Sequence, residues 1–121
     1  CVVAESGLYM IEVDYSKNVV TVSKAVVCGM GDVFGSWDEG KYPFTVSGQT
    51  MTATATNAAN LRMYAVSTFA AATGNWWHRE FNIYDGKIVY RGTAGSDPEA
   101  VPVTAGQTIT LDFNAGTGSI K

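Results

Sequence analysis

Charge is what this chain has least of. Only 16% of its 121 residues are Asp, Glu, Lys or Arg, and the eight basic residues against eleven acidic ones leave a formal net charge of −3. Three of the basic residues are arginines, Arg62, Arg79 and Arg91. No basic stripe exists to neutralise a phosphate backbone, which argues against a nucleic-acid partner. A single histidine, no G-x-S-x-G and no His or Cys pair at ligand spacing leave hydrolytic triads and zinc sites without their parts. No apolar run is long enough to cross a bilayer as a helix. Two cysteines, Cys1 and Cys28, do not make a disulfide framework. No helical period is sustained beyond a turn or two.

Thr, Ala, Gly and Val are plentiful instead, as short strands and tight turns require. The clearest local signal is Asn75–Arg91, NWWHREFNIYDGKIVYR. Asp85-Gly86 between two β-branched and aromatic runs predicts a two-residue type I′ hairpin, because both central positions need positive φ. The turn sets Tyr84 opposite Lys87, Ile83 opposite Ile88, Asn82 opposite Val89, Phe81 opposite Tyr90 and Glu80 opposite Arg91. Alternation then assigns Trp77, Phe81, Ile83, Ile88 and Tyr90 to the core. Trp76, His78, Glu80, Tyr84, Lys87 and Arg91 fall on the outward face, with Glu80–Arg91 as a cross-strand pair.

Taken in order, Leu8–Tyr15 and Val19–Ser23 form a hairpin about Ser16–Asn18. Ala25–Met30 is a near-continuous apolar run, expected of a strand covered on both faces. Gly31–Tyr42 is a glycine-punctuated loop carrying Trp37, and Pro43–Ser47 with Gln49–Thr56 form a hairpin about Gly48. Leu61–Ser67 is a strand and Thr68–Gly74 a small-residue loop. A short edge strand falls at Val101–Val103, and Thr108–Asn114 with Gly118–Lys121 close the chain. Many short strands with frequent turns predict one all-β domain, an antiparallel β-sandwich of immunoglobulin-like or carbohydrate-binding-module-like type.

The start, SGLYMIEVDYSKNVVTVSK, is similar to the end, AGQTITLDFNAGTGSIK. Asp14-Tyr15 corresponds to Asp112-Phe113, a separation of one small domain, as in modules arrayed in tandem. Any two β-hairpins also share such a pattern. On the tandem reading residues 1–24 are the closing hairpin of a preceding module or a bridging hairpin, and residues 25–121 form the module proper. Cys28, among apolar neighbours, reads as a buried small hydrophobe. Cys1 is either the lipid-bearing first residue of a mature lipoprotein or the first residue of a fragment; strand-like residues follow within a few positions, without a tether, which favours the fragment.

Sugar rings offer a C–H face that stacks on an aromatic ring and a rim of hydroxyls that needs donors and acceptors. Trp76, with His78, Tyr84, Lys87 and Arg91 near it, meets that description. Trp37 with Asp38 is the other candidate platform, though Trp37 serves equally as a plug sealing one end of the sandwich. Asp32, Asp38 and Glu39 fall in one turn-rich loop, where turn formation explains them better than a glycosidase's opposed carboxylates or a calcium site. No cofactor, metal or catalytic residue is expected.

At GMGDVFGSW following an apolar strand, a short F-T-V hairpin and LRMYAV, the chain resembles the repeated modules of the SusE and SusF type, surface starch-binding lipoproteins of Bacteroidetes glycan uptake. The closing AGQTITLDFNAGTGSIK is similar to the way those modules end, with Gln107 where their last strand has an aromatic entry. The resemblance covers Ala25–Lys121. It implies a β-sandwich that binds an oligo- or polysaccharide without catalysis, at the outer membrane or otherwise in the periplasm or medium. Its implied partners are neighbouring tandem modules and a TonB-dependent transporter complex. The contrasting expectation is a structural spacer or protein-interaction domain without a ligand site, with Trp37 and Trp76 both packed inside. If the module binds glycan, Trp76→Ala is expected to abolish binding with stability nearly intact.

Overall fold

The computed structural model describes residues 2–69, 74–92 and 95–121. Cys1 and most of the expected Thr68–Gly74 loop lie outside them. In chain order the strands are β1 (Tyr9–Asp14), β2 (Val19–Lys24), β3 (Val27–Met30), β4 (Tyr42–Pro43), β5 (Thr45–Ser47), β6 (Thr50–Thr54), β7 (Ala59–Asn60), β8 (Arg62–Ala65), β9 (Glu80–Tyr84), β10 (Lys87–Tyr90), β11 (Pro102–Val103), β12 (Thr108–Asp112) and β13 (Thr117–Ile120).

One antiparallel ladder runs β4-β3-β8-β9-β10-β13-β12-β6-β5. Its narrow point is the β10–β13 join, a single register pair between Lys87 and Thr117. Flanking that pair, the Ile88 N–H donates to the Gly116 carbonyl and the Gly118 N–H to the Gly86 carbonyl. The ladder turns over at this seam. Val27, Met63, Phe81 and Ile83 from one half meet Met51, Ile109 and Leu111 from the other in one buried cluster. The result is a sandwich whose two layers are stitched along one side. Gly118 permits the close approach there, since a Cβ on it would lie 2.6 Å from Ile83 Cγ1.

The Asp85-Gly86 turn has positive φ at both positions, 51° and 74°. Tyr84–Lys87, Ile83–Ile88, Asn82–Val89 and Phe81–Tyr90 pair as the turn dictates. β3 is buried on both faces: Val27 faces the main cluster, while Cys28 and Met30 meet Tyr64 and Trp76 on the other side. Cys28 is a free, buried thiol.

Alternation fails on the N-terminal side of Glu80. Trp76–Arg79 is a turn of 3-10 helix, not strand, so parity counted from the hairpin does not reach the tryptophans. Trp77 is half-buried and belongs to neither core cluster. Tyr90, expected inside, is exposed. Glu80, expected outside, is buried together with Asn82, because residues 97–99 cross that face: Asp97, Pro98 and Glu99 line the same hollow as Glu80 and Asn82. Tyr42–Pro43 pairs with β3 instead of extending the β5–β6 hairpin.

Candidate functional site

Three elements meet at one edge of the sandwich: the loop after β3, strand β8 and the 3-10 turn before β9. The loop is short and closed. Gly31 and Ser36 form a β-bridge, and the Phe34 and Gly35 N–H groups both donate to the Gly31 carbonyl. This brings Trp37 back over Gly31, whose φ is +92° and whose Cβ would sit 2.9 Å from the Trp37 ring. Glycine is required there on both counts. The Trp37 indole Nε1 donates to Asp32 Oδ1 at 3.2 Å, which fixes the ring while leaving it 53% exposed.

The 3-10 turn delivers the second indole. Trp76 is half-buried, backed by Tyr64 at 5.8 Å between ring centroids. The Tyr64 hydroxyl accepts a hydrogen bond from the Gly40 N–H at 2.7 Å, tying the loop to β8; burial, its largest influence, pushes the phenol's pKa up. Trp37 and Trp76 stand 6.3 Å apart at 48° to one another. They make an arc, not a flat wall.

Arg62 of β8 lies between them, its guanidinium 5.8 Å from the Trp37 ring centroid and 5.1 Å from that of Trp76. Below the arc Arg62 donates to Glu80 through Nε–Oε1 at 2.8 Å and Nη2–Oε2 at 3.0 Å. Arg91 donates to the same carboxylate, Nη1–Oε2 at 2.7 Å, and Asp97 accepts from Arg62 at 3.1 Å. The hydrogen bonds to Glu80 chiefly, against the effect of burial, raise the Arg62 pKa further. Two cations on one buried carboxylate lock the floor of the site. Beside the arc opens a depression of about 460 Å³ lined by Asp32, Trp37, Asn60, Arg62, Asp97 and Glu99 among others.

The residues expected from sequence divide between this site and its surroundings. Trp37 and Trp76 are brought together, and Arg91 reaches them through Glu80. Arg91 is nevertheless buried, its fork spent on Glu80 and the Ser96 carbonyl, so it supports the floor and does not face solvent. The Glu80–Arg91 pair exists as expected but inside the molecule. Tyr84 donates to the Glu99 carbonyl at 2.6 Å, holding that segment across β9, and lines an adjoining hollow. His78 packs edge-on against Trp77 at 3.8 Å, and its carbonyl accepts from Tyr90. Lys87 is exposed at the hairpin turn. Asp38 accepts from Ser36 and pairs with Lys41. His78, Lys87 and Asp38 do not line the depression.

Sequence reasoning missed Arg62, Asp32 and the 97–99 segment. Arg62 was within reach, as one cation in an apolar strand at the parity opposite Met63. Its partner Glu80 lies eighteen positions away, and the connection depends on β8 pairing with β9. The packed-inside arrangement required of a spacer does not hold for Trp37, which is more than half exposed. Among the described residues no group of three or more His, Cys, Asp or Glu could hold a metal ion, and no helix is long and apolar enough to cross a membrane.

Residues 26–119 match the sequence profile of the SusF/SusE starch-specific carbohydrate-binding modules. The outer membrane protein SusF of Bacteroides thetaiotaomicron is 33% identical over 126 aligned positions, covering 96% of this chain and 26% of that protein. The crystal structure of SusF from the same organism superposes with a TM-score of 0.76 at 35% identity, covering 85% of this chain and 24% of that one. The chain thus spans about a quarter of the length of the relative it matches. Profile, identity and superposition agree with the β-sandwich: the chain belongs to the SusF/SusE family of starch-specific carbohydrate-binding modules.

Proposed function

We propose that the arc of Trp37 and Trp76, with Arg62 between the rings, is where this module holds its polysaccharide. The observation that carries this is the pair of indoles 6.3 Å apart and inclined at 48°. Successive sugars of a coiled α-linked glucan present their C–H faces at an angle to each other, whereas a flat β-linked chain presents them in ribbon form. An inclined pair suits the coil. Asn60, Asp32 and the exposed edge of Arg62 supply hydroxyl partners along the depression beside it.

Binding without catalysis suits the charges. A glycosidase needs one carboxyl free to donate and a second facing it. Of the carboxylates lining the depression, both Glu80 oxygens are taken by arginines, Asp32 accepts from Trp37 and Asp97 accepts from Arg62, which leaves Glu99 without a second free carboxyl to work with. The outer-membrane relative supports the same location for this chain. Its working partners on this reading are polysaccharide, neighbouring tandem modules and a TonB-dependent transporter complex.

Calorimetric titration with a maltooligosaccharide, alongside β-glucan and xylan controls, tests the proposal. Heat from the α-glucan that disappears in Trp37→Ala is the expected result. No heat from it, or an unchanged affinity in that variant, overturns the assignment.

A further inference from the structure

The opening hairpin has one partnered face and one that is bare. Glu12, on the first face, is buried and accepts from the Ser67 hydroxyl, the Thr68 N–H at 2.8 Å and the Thr68 hydroxyl at 2.7 Å. The opposite face carries Ile11, Val13, Tyr15 and Val20, which are 67%, 46%, 88% and 63% exposed. Among the described residues β1 and β2 pair only with each other, so both outer edges are open. An apolar face flanked by two unsatisfied edges is costly to leave in water.

The closing hairpin shows what such a unit looks like when complete. Val13 pairs with Val20 and Ile11 with Val22; Leu111 pairs with Gly118 and Ile109 with Ile120. In both turns the Asp side chain caps the next residues: Asp14 Oδ1 accepts from the Ser16 and Lys17 N–H groups, and Asp112 Oδ1 from those of Asn114 and Ala115. Asn18 and Gly116 occupy the same turn position with φ of 53° and 69°. Register, cap and turn therefore coincide. Burial does not, for Ile109 and Leu111 are fully buried. They are covered because β12 pairs with β6, and β13 with β10, inside the sandwich.

We propose that β1–β2 is the closing hairpin of a second module of this fold lying N-terminal to it in the full-length polypeptide, and that Glu12 clamps that module rigidly to this one. Ile11, Val13, Val20 and Val22 complete the upstream core as Ile109, Leu111 and Ile120 complete this one. The β1 edge takes a strand equivalent to β6 and the β2 edge one equivalent to β10. Tyr15 stands where Phe113 meets Phe81 edge-on at 5.6 Å, so it stacks on an aromatic ring of the neighbour. The occupant is argued from this equivalence and from the chain's span of a quarter of its relative. Only Ala25 and Val26 separate β2 from β3, and the Ala25 N–H is held by the Leu8 carbonyl. With Glu12 docked, that joint has little freedom. The inference deepens the tandem reading above and is independent of the sugar site.

Hydrogen exchange read by mass spectrometry on the full-length polypeptide and on residues 1–121 tests it, with maltooligosaccharide titration of both samples reporting the sugar site separately. Peptides of β1–β2 are expected to exchange at least about a hundredfold more slowly in the full-length polypeptide, approaching the protection of β12–β13. Equal, fast exchange in both overturns the proposal, whatever the sugar titration gives. Protection in residues 1–121 that grows with concentration, with dimers in sedimentation, also overturns it by making a second copy the occupant. For the clamp, Glu12→Ala in the full-length polypeptide is expected to widen the distribution of interdomain distances in small-angle scattering; an unchanged profile removes that part.

Discussion

Arg62 grips Glu80 through two parallel hydrogen bonds, 2.8 and 3.0 Å, while its guanidinium face lies 5.1 Å from the Trp76 ring centroid. One side chain thus couples the buried charge cluster to the aromatic arc above it. The fork needs a planar cation with fixed donors, so lysine does not replace it.

Cutting that coupling from below is expected to cost stability first. Glu80→Ala strands the buried Arg91 and frees Arg62, a loss of about 3–5 kcal/mol in chemical denaturation. Arg62→Lys keeps the charge and loses the fork. It should weaken α-glucan binding several-fold while lowering stability far less than Glu80→Ala does.

The two tryptophans should separate in a paired experiment. Trp37→Ala removes an exposed ring, so stability is expected to stay within about 0.5 kcal/mol, while Kd rises at least tenfold, about 1.4 kcal/mol. Trp76 also packs on Tyr64, so Trp76→Ala should cost stability as well, roughly half of the ~3–5 kcal/mol typical of a fully buried tryptophan. Thermal denaturation and calorimetry on the same samples read both quantities. The sequence-based expectation that Trp76→Ala leaves stability nearly intact is revised by that packing.

Gly31→Ala provides an orthogonal check on the arc. The added methyl meets the Trp37 ring at 2.9 Å in a backbone conformation of φ +92°. Binding should fall through a tilted Trp37 although no sugar contact has been deleted. Lys87→Ala, at the far hairpin turn, should leave affinity within twofold.

Acid should release the opening hairpin before the sandwich melts. Burial works to raise the Glu12 pKa, yet hydrogen bonds from Ser67 and Thr68 and the Arg79 charge outweigh it and hold the carboxyl below its ordinary 4.5. A depressed folded-state value contributes stability fully above the unfolded pKa and loses it as pH falls through the folded one. The protection of the Thr68 amide, taken relative to its intrinsic exchange rate at each pH, is expected to hold above pH 4.5 and to fall below it. In Glu12→Gln that pH step should vanish.

Much of the fold was legible because it rests on short-range rules. Asp85-Gly86 dictated its turn and four pairings, and the apolar run of β3 announced a strand covered on both faces. The site was legible only in part. Trp37 and Trp76 stood out as aromatic rings beside polar neighbours. The faces assigned to Trp77, Glu80 and Arg91 went wrong for two reasons. A 3-10 turn advances about 120° per residue where a strand advances 180°, and residues 97–99 cover a face that local parity leaves open.

By itself, the order of residues determined the all-β class, the main turns and the register of the Asp85-Gly86 hairpin, since those depend on φ preferences and on neighbours a few positions apart. Tertiary structure alone decided that two indoles thirty-nine positions apart meet at 6.3 Å, and that Arg62 rather than Arg91 faces them. The physical reason is that these contacts depend on which strands lie side by side, and strand order is set by global core burial, not by any local stretch of sequence.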